Sequence, residues 1–214
     1  MTRTQRRPLT PAAGLPHGGV PGWILALAAL GAALILLPLA AMISRVRWSD
    51  FFSLITSESS LAALALSLRT SLLATLLCVL LGVPLALTLA RTSFPGQQIL
   101  RSLVLLPLVL PPVVGGIALL YTFGRTGLLG STLDVLGIRI AFSTTAVVLA
   151  QTFVALPFLV LSLEGALRTV GTRYEAVAAT LGAAPTTVLT RVTIPLVLPA
   201  LISGAVLSFA RALG

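Results

Sequence analysis

Residues 61–90 read "LAALALSLRTSLLATLLCVLLGVPLALTLA", and the reading of this run decides the fold. Apart from Arg69 it holds only apolar residues, glycine, proline and small hydroxyls, with no carboxylate. A helix rises about 1.5 Å per residue and the hydrocarbon core of a bilayer is about 30 Å thick, so the run is long enough to cross and to tilt or reach the headgroups. In lipid, backbone N–H and C=O groups must be satisfied within the protein, which a helix does along its own length. The rest of the chain has the same character. It is 57% apolar and 9% charged, with a mean hydropathy of +1.08, whereas a soluble domain carries about 25% charged residues to cover its wet surface.

Outward from this run, four further apolar stretches follow the same logic. Residues 1–21 open with Arg3, Arg6 and Arg7 and turn rich in proline and glycine, which predicts a flexible basic cytoplasmic leader. Residues 22–43 form the first span; a cleaved secretory leader also begins with arginines, but its apolar core is about 7–15 residues and this run is longer. Between the first and second spans, Arg45, Arg47, Asp50 and Glu58 alternate with Trp48, Phe51 and Phe52, the make-up of an amphipathic stretch at the membrane interface. A polar turn at 91–101, centred on Pro95 and Gly96, leads to a third span over 103–123. That span contains Pro107, Pro111, Pro112, Gly115 and Gly116, so it must bend or unwind, and the freed carbonyls require protein or water beside them. After a polar connection over 124–144, holding "FGRTGLLG", Arg125, Asp134 and Arg139, a fourth span covers 145–163 with Gln151 and Pro157 near its middle. A fifth covers 195–214 and stops at Gly214 without a polar tail, so a sixth is expected in the complete protein. The expected class is an all-α polytopic membrane protein with at least five spans and a single transmembrane domain over 22–214.

Charge sets orientation and excludes some functions. The formal net charge is +9 and every basic residue is an arginine. No dense basic run or aromatic platform accompanies them beyond the leader, so nucleic-acid binding is not expected; the positive-inside rule explains the same residues. With the N-terminus inside, Arg3, Arg6, Arg7, Arg91, Arg101, Arg168, Arg173 and Arg191 are cytoplasmic and Arg45, Arg47, Arg125 and Arg139 are outside. This places 164–194 in the cytoplasm. Cys78 lies in an apolar run with no partner for a disulfide or a metal, and His17 falls in the leader, so no metal site is expected. Arg69 either snorkels to the outer interface or faces the bundle interior, and Arg211, deep in the fifth span, either pairs with an acidic residue or touches a substrate.

Within the cytoplasmic part, 172–190 is short, polar and rich in small residues. Thr172 is placed to cap a helix whose apolar face is Val177, Ala178 and Leu181; Gly182 ends it in a left-handed or close-approach position, and Pro185 opens a second short helix. Such a methyl-covered helix pair fits a cleft on another protein, and it equally suits an ordinary linker between helices.

Ala176-Val177-Ala178, Gly182 and then Val192-Thr193-Ile194-Pro195 resemble the cytoplasmic signature of bacterial ATP-binding cassette import permeases: Glu-Ala-Ala, three residues, Gly, nine residues, Ile-x-Leu-Pro. The run "FPGQQILRSLVLLPLVLPPVVGGIALL" and the terminal "SFARALG" are similar to the molybdate-type permease of the molybdate/sulfate/thiosulfate branch, and the resemblance covers about 60–214. One position departs from the signature. Its glutamate position holds Ala176, and Glu175 lies one residue earlier, turned about 100° around a helix. Either a small rotation brings Glu175 to the contact, or the contact is mainly apolar.

The resemblance implies an inner-membrane permease subunit that moves an oxyanion, molybdate before sulfate, thiosulfate or tungstate, by alternating access. Its implied partners are a second permease copy in a homodimer, two ATPase subunits that hold ATP and Mg, and a periplasmic or lipid-anchored substrate-binding protein. No cofactor is expected on this chain, which has no G-x-x-x-x-G-K-[ST] loop and no lysine to fill one. The implied coupling residues are Tyr174, Glu175, Ala176, Val177, Ala178, Leu181, Gly182, Ala183, Pro185 and Pro195. For the path, donors and broken helices suggest Arg69, Pro111, Pro112, Gly115, Gly116, Gln151, Ser208 and Arg211. An intramembrane enzyme would need facing catalytic groups inside the spans, and none are expected there. A secondary transporter also uses broken helices, but the related halves and coupling-ion carboxylates that normally accompany them are not seen.

Overall fold

A computed structural model describes residues 21–137 and 140–214, so all but the last residue of the expected leader over 1–21, with His17, and Arg139 lie outside the described residues. The described residues contain helices and turns and no strand. Two units are distinguished. The first holds α1 (Gly22–Ser44) and α2 (Trp48–Ile55). α1 is apolar all round and buries none of its residues against protein, the pattern of a helix solvated by lipid. α2 gathers its rings on one another, Trp48 to Phe51 at 5.3 Å and Phe51 to Phe52 at 5.8 Å between centroids.

The second unit contains α3 (Glu58–Arg91), α4 (Gln97–Val109), α5 (Pro112–Phe123), α6 (Gly130–Val135), α7 (Thr144–Val170), α8 (Arg173–Thr180), α9 (Pro185–Val188), a π turn (Leu189–Thr193) and α10 (Ile194–Leu213). Its core is the packing of α3, α7 and α10. Lipid is as apolar as leucine, so helices associate in it through close packing of small residues and through hydrogen bonds rather than through the hydrophobic effect. Both devices are present. A Cβ on Gly82 of α3 would lie 2.5 Å from Leu159 Cδ2 of α7, and one on Gly204 of α10 would lie 3.3 Å from the Leu159 Cα. Ser162 Oγ donates to the Ala200 carbonyl at 3.0 Å, Ser208 Oγ to the Ala155 carbonyl at 3.1 Å, and the buried Cys78 thiol to the Thr152 carbonyl at 3.7 Å. Leu89, Leu159, Leu163 and Leu167 fill the space between these contacts.

Among the described residues, four helices are long and apolar enough to cross a membrane, and α4 with α5 makes a fifth passage if the pair is taken as one span. The third span is therefore not one helix but two, bent by 119°. The cause is local. Each proline disfavours helical backbone in the residue before it, and Pro111 and Pro112 follow one another; Leu110 is extended at ψ 132° and Pro111 at ψ 140°. The surrounding contacts decide how the pair runs. α4 starts beside the C-terminal end of α3, where Gln97 Nε2 donates to the Leu89 carbonyl at 2.8 Å. α5 ends beside Leu66 and Thr70, near the start of α3, and Ala146 and Val147, near the start of α7. The pair thus travels from one end of the bundle to the other, which is a broken passage rather than a loop returning to its own side. It lets α3 and α7 run parallel, with α10 antiparallel to both.

The turn after α5 is closed by glycines at three-residue spacing. A Cβ on Gly124, Gly127 or Gly130 would lie 2.3, 2.6 or 1.9 Å from a backbone oxygen, so the "FGRTGLLG" turn has no room for other residues there.

Candidate functional site

At the end of the bundle where α3 and α7 finish, 172–190 folds as two short helices. Gly171, at φ +66° and ψ −165°, takes a backbone region open essentially to glycine and turns the chain out of α7. Thr172 occupies the N-cap position of α8, but its side chain makes no capping bond, so the expected cap is not formed. At the other end, Gly182 sits at φ +81°, its N–H donating to the Ala179 carbonyl at 3.0 Å and the next N–H to the Ala178 carbonyl at 3.1 Å. This is the Schellman arrangement that ends a helix on a left-handed glycine. Pro185 opens α9 in its first turn, where a missing N–H costs nothing.

α8 has two faces. Tyr174, Val177 and Leu181 lie at helical spacing on the outward one, and Leu181 is 83% exposed; Ala176 is exposed too but borders the cavity beside Glu175. Arg173 lies over the Tyr174 ring at 5.1 Å. Glu175 is on the other face and points into the protein. Its Oε1 accepts from Arg91 Nε at 3.1 Å, Arg91 Nη2 at 3.0 Å and Thr193 Oγ1 at 2.9 Å. Arg91, the last residue of α3, also donates from Nη1 to the Leu167 carbonyl at 2.9 Å and from Nη2 to the Gly171 carbonyl at 2.8 Å, at the end of α7. A planar guanidinium satisfies all these acceptors at once, and its charge suits a helix C-terminus. Beside this cluster an open cavity of about 620 Å³ is lined by Thr88, Arg91, Glu175, Ala176, Ala183 and Val188. Ala178 and Ala183 are half-buried, while Pro195, in the first turn of α10, is exposed.

A buried carboxylate stands one layer deeper. Glu164 pairs with Arg101 of α4 and with Arg168 Nε at 3.0 Å, and Arg168 Nη2 donates to the Leu89 carbonyl at 2.9 Å. Helix α7 continues through this region to Val170, so Glu164, read as lying beyond a span ending at 163, belongs to the helix and is buried in it.

The residues suggested for a path are scattered. Pro111 and Pro112 stand at the break and are exposed; Gly115 is buried, with space for a Cβ only 3.5 Å from the Phe153 ring. Gly116 borders an apolar cavity of about 590 Å³ between α3, α5 and α7. Arg69 is exposed on α3, on the outside of the bundle, and Arg211 is half-buried on α10. Gln151 is also half-buried and its Oε1 has no hydrogen-bond partner, a state it shares with the buried Ser71 Oγ. Ser208 departs from the expectation. It is fully buried with its hydroxyl bonded to α7, so it holds helices together and lines no opening.

Sequence reasoning did not single out Arg91, Thr193 or Glu164. Arg91 and Glu175 are 84 residues apart, and nothing local in either segment announces the pairing. The available signal was charge scarcity: a carboxylate in so apolar a chain needs a cationic partner wherever it is shielded.

Sequence comparison relates the chain to known proteins. The sequence profile of the family described as "Binding-protein-dependent transport system inner membrane component" matches residues 79–214. The chain is similar to the molybdenum transport system permease protein ModB of Mycobacterium tuberculosis, 60% identical over 93% of this chain and 75% of the relative. It is also similar to ModB of Escherichia coli, 43% identical over 75% of this chain and 71% of the relative. The sulfate transport system permease protein CysT of Salmonella typhimurium is 32% identical over 85% of this chain and 66% of that protein.

Proposed function

Because the chain belongs to the family of binding-protein-dependent transport system inner membrane components, we propose that it is the permease subunit of an ATP-driven importer that carries molybdate across the cytoplasmic membrane. The single observation that carries the choice of molybdate is the 60% identity over 93% of the chain to a molybdenum permease, against 32% to a sulfate permease. The chain is a transport subunit and not an enzyme. ATP and Mg are held by two separate ATPase subunits, a second copy of the chain completes the path as a homodimer, and a periplasmic or lipid-anchored binding protein delivers the oxyanion.

In this reading the transmembrane domain over 22–214 lies with its N-terminus inside, and the end bearing 172–190 faces the cytoplasm. Support comes from charge: Arg91, Arg101 and Arg168 gather at that end through their ion pairs, as the positive-inside rule requires. The exposed stripe Tyr174, Val177 and Leu181 seats in a cleft of the ATPase subunit, and the contact is mainly apolar, because Glu175 is turned inward. Motion of the ATPase pair is relayed to the helices and opens the path to each side in turn. For the path, Arg69, Gln151 and Arg211 offer donors to an oxyanion, and the break at Pro111 and Pro112, with Gly115 and Gly116 after it, gives the helix two positions.

The test is uptake into proteoliposomes holding the permease, its ATPase subunit and its binding protein. Molybdate uptake that needs ATP, survives collapse of the proton gradient and exceeds sulfate uptake at least tenfold is the expected result. Uptake that vanishes with the gradient would mark a secondary transporter, and equal uptake of sulfate would remove the molybdate assignment.

A further inference from the structure

The inward ion pair does more than hold a loop. α8 stands between two glycines in left-handed backbone, Gly171 and Gly182, and beyond α9 comes a π turn, a wider and less regular helical geometry that often marks functional sites. Glycine tolerates backbone changes that other residues resist, so a push on the outer face would be absorbed at these two positions unless α8 were tied to the bundle. α8 also packs on the π turn and on α9, and its charged tie to the bundle is Glu175. Glu175 ties α8 to Arg91 at the end of α3 and to Thr193 in the π turn that leads into α10. Through Arg91 the same contact reaches the Leu167 and Gly171 carbonyls at the end of α7. Glu175 Oε1 thus bonds directly to the end of α3 and to the turn before α10, and through Arg91 it is linked to the carbonyls that end α7. Arg91 and Glu175 are mostly shielded, with side chains 16% and 21% exposed, so water screens the pair little.

We propose that Arg91, Glu175 and Thr193 form a transmission latch, positioning residues that make α8 move as one body with α3, α7 and α10, and that Glu175 does not dock the ATPase. The inference rests on the proposed function, since it concerns how the ATPase stroke enters the bundle. It predicts that loosening the latch uncouples hydrolysis from transport rather than preventing assembly.

The experiment uses the full chain with its ATPase and binding protein, in proteoliposomes, and reads three quantities: co-purified ATPase, ATP hydrolysed and molybdate taken up. In Glu175→Gln and Arg91→Lys the ATPase is expected to co-purify as in wild type, with uptake per ATP falling at least tenfold. Thr193→Val removes one hydrogen bond at nearly constant shape, and a threefold fall is expected. Should the charged-pair variants fail to yield protein, Thr193→Val decides alone. Loss of the co-purified ATPase in a folded Glu175→Gln variant would make Glu175 a docking residue and overturn the latch. An unchanged uptake per ATP would overturn it too. Failure of the wild-type complex to take up molybdate has a different signature: it rejects the proposed function, and the latch falls with it.

Discussion

Gly204 shows how little room the bundle has. Its missing side chain lets α10 approach the Leu159 backbone of α7, and an added Cβ would stand 3.1 Å from Ser162 Cβ and 3.3 Å from Leu159 Cα. The nearest of these atoms belong to backbone and Cβ positions, which cannot turn aside. Gly204→Val is therefore expected to destabilise the protein by about 1–3 kcal/mol, the usual range for overpacking, seen as a lower melting temperature in detergent. Gly165→Ala is the control: an added Cβ meets nothing within 4 Å, so stability should hold or rise slightly. At this scale the sequence is a partial guide. Gly182 and Pro185 could be placed in their turns because backbone geometry alone demands them, and the structure puts both there. Glu175 could not. Its position in the chain predicts a helix face, but which face turns inward is set by Arg91, 84 residues away. Ser208 misleads for a similar reason, since a hydroxyl in a span reads the same whether it meets a substrate or the Ala155 carbonyl.

At the scale of elements, the break between α4 and α5 has the clearest cause. Pro111 and Pro112 force two successive extended residues, and the helix axis turns by 119°. Restoring both backbone donors with Pro111→Ala and Pro112→Ala should let one helix run through. We expect the ATPase still to co-purify, while molybdate uptake falls at least tenfold, because a straight rod loses the two positions assigned to it. Uptake close to wild type would show that the break is only a packing device. The prolines made the break legible in advance; its angle, and the fact that the pair crosses the bundle, depend on where the ends of α3 and α7 stand. The continuation of α7 to Val170 was hidden because charge at Glu164 and Arg168 reads as an exit from lipid, whereas here those charges neutralise one another against the end of α3. The π turn has no proline or glycine within it and left no mark in the sequence.

At the scale of the whole molecule, the helices of the second unit gather their ion pairs at one end. α3 and α7 run parallel and α10 returns, so the arginines that end the first two meet the two inward carboxylates and the short helices of 172–190 at one pole. At the opposite pole stand the glycine turn after α5 and the apolar cavity bordered by Gly116. In the proposed mechanism, force enters this bundle through the outward apolar face of α8 and reaches the core through the inward latch. The most direct measurement is cysteine cross-linking from Leu181→Cys to the co-expressed ATPase subunit, in a Cys78→Ala background, with and without ATP. Leu181 is 83% exposed, so efficient cross-links whose yield changes with nucleotide are expected. No cross-link from this position, in a complex that still assembles and transports, would contradict it.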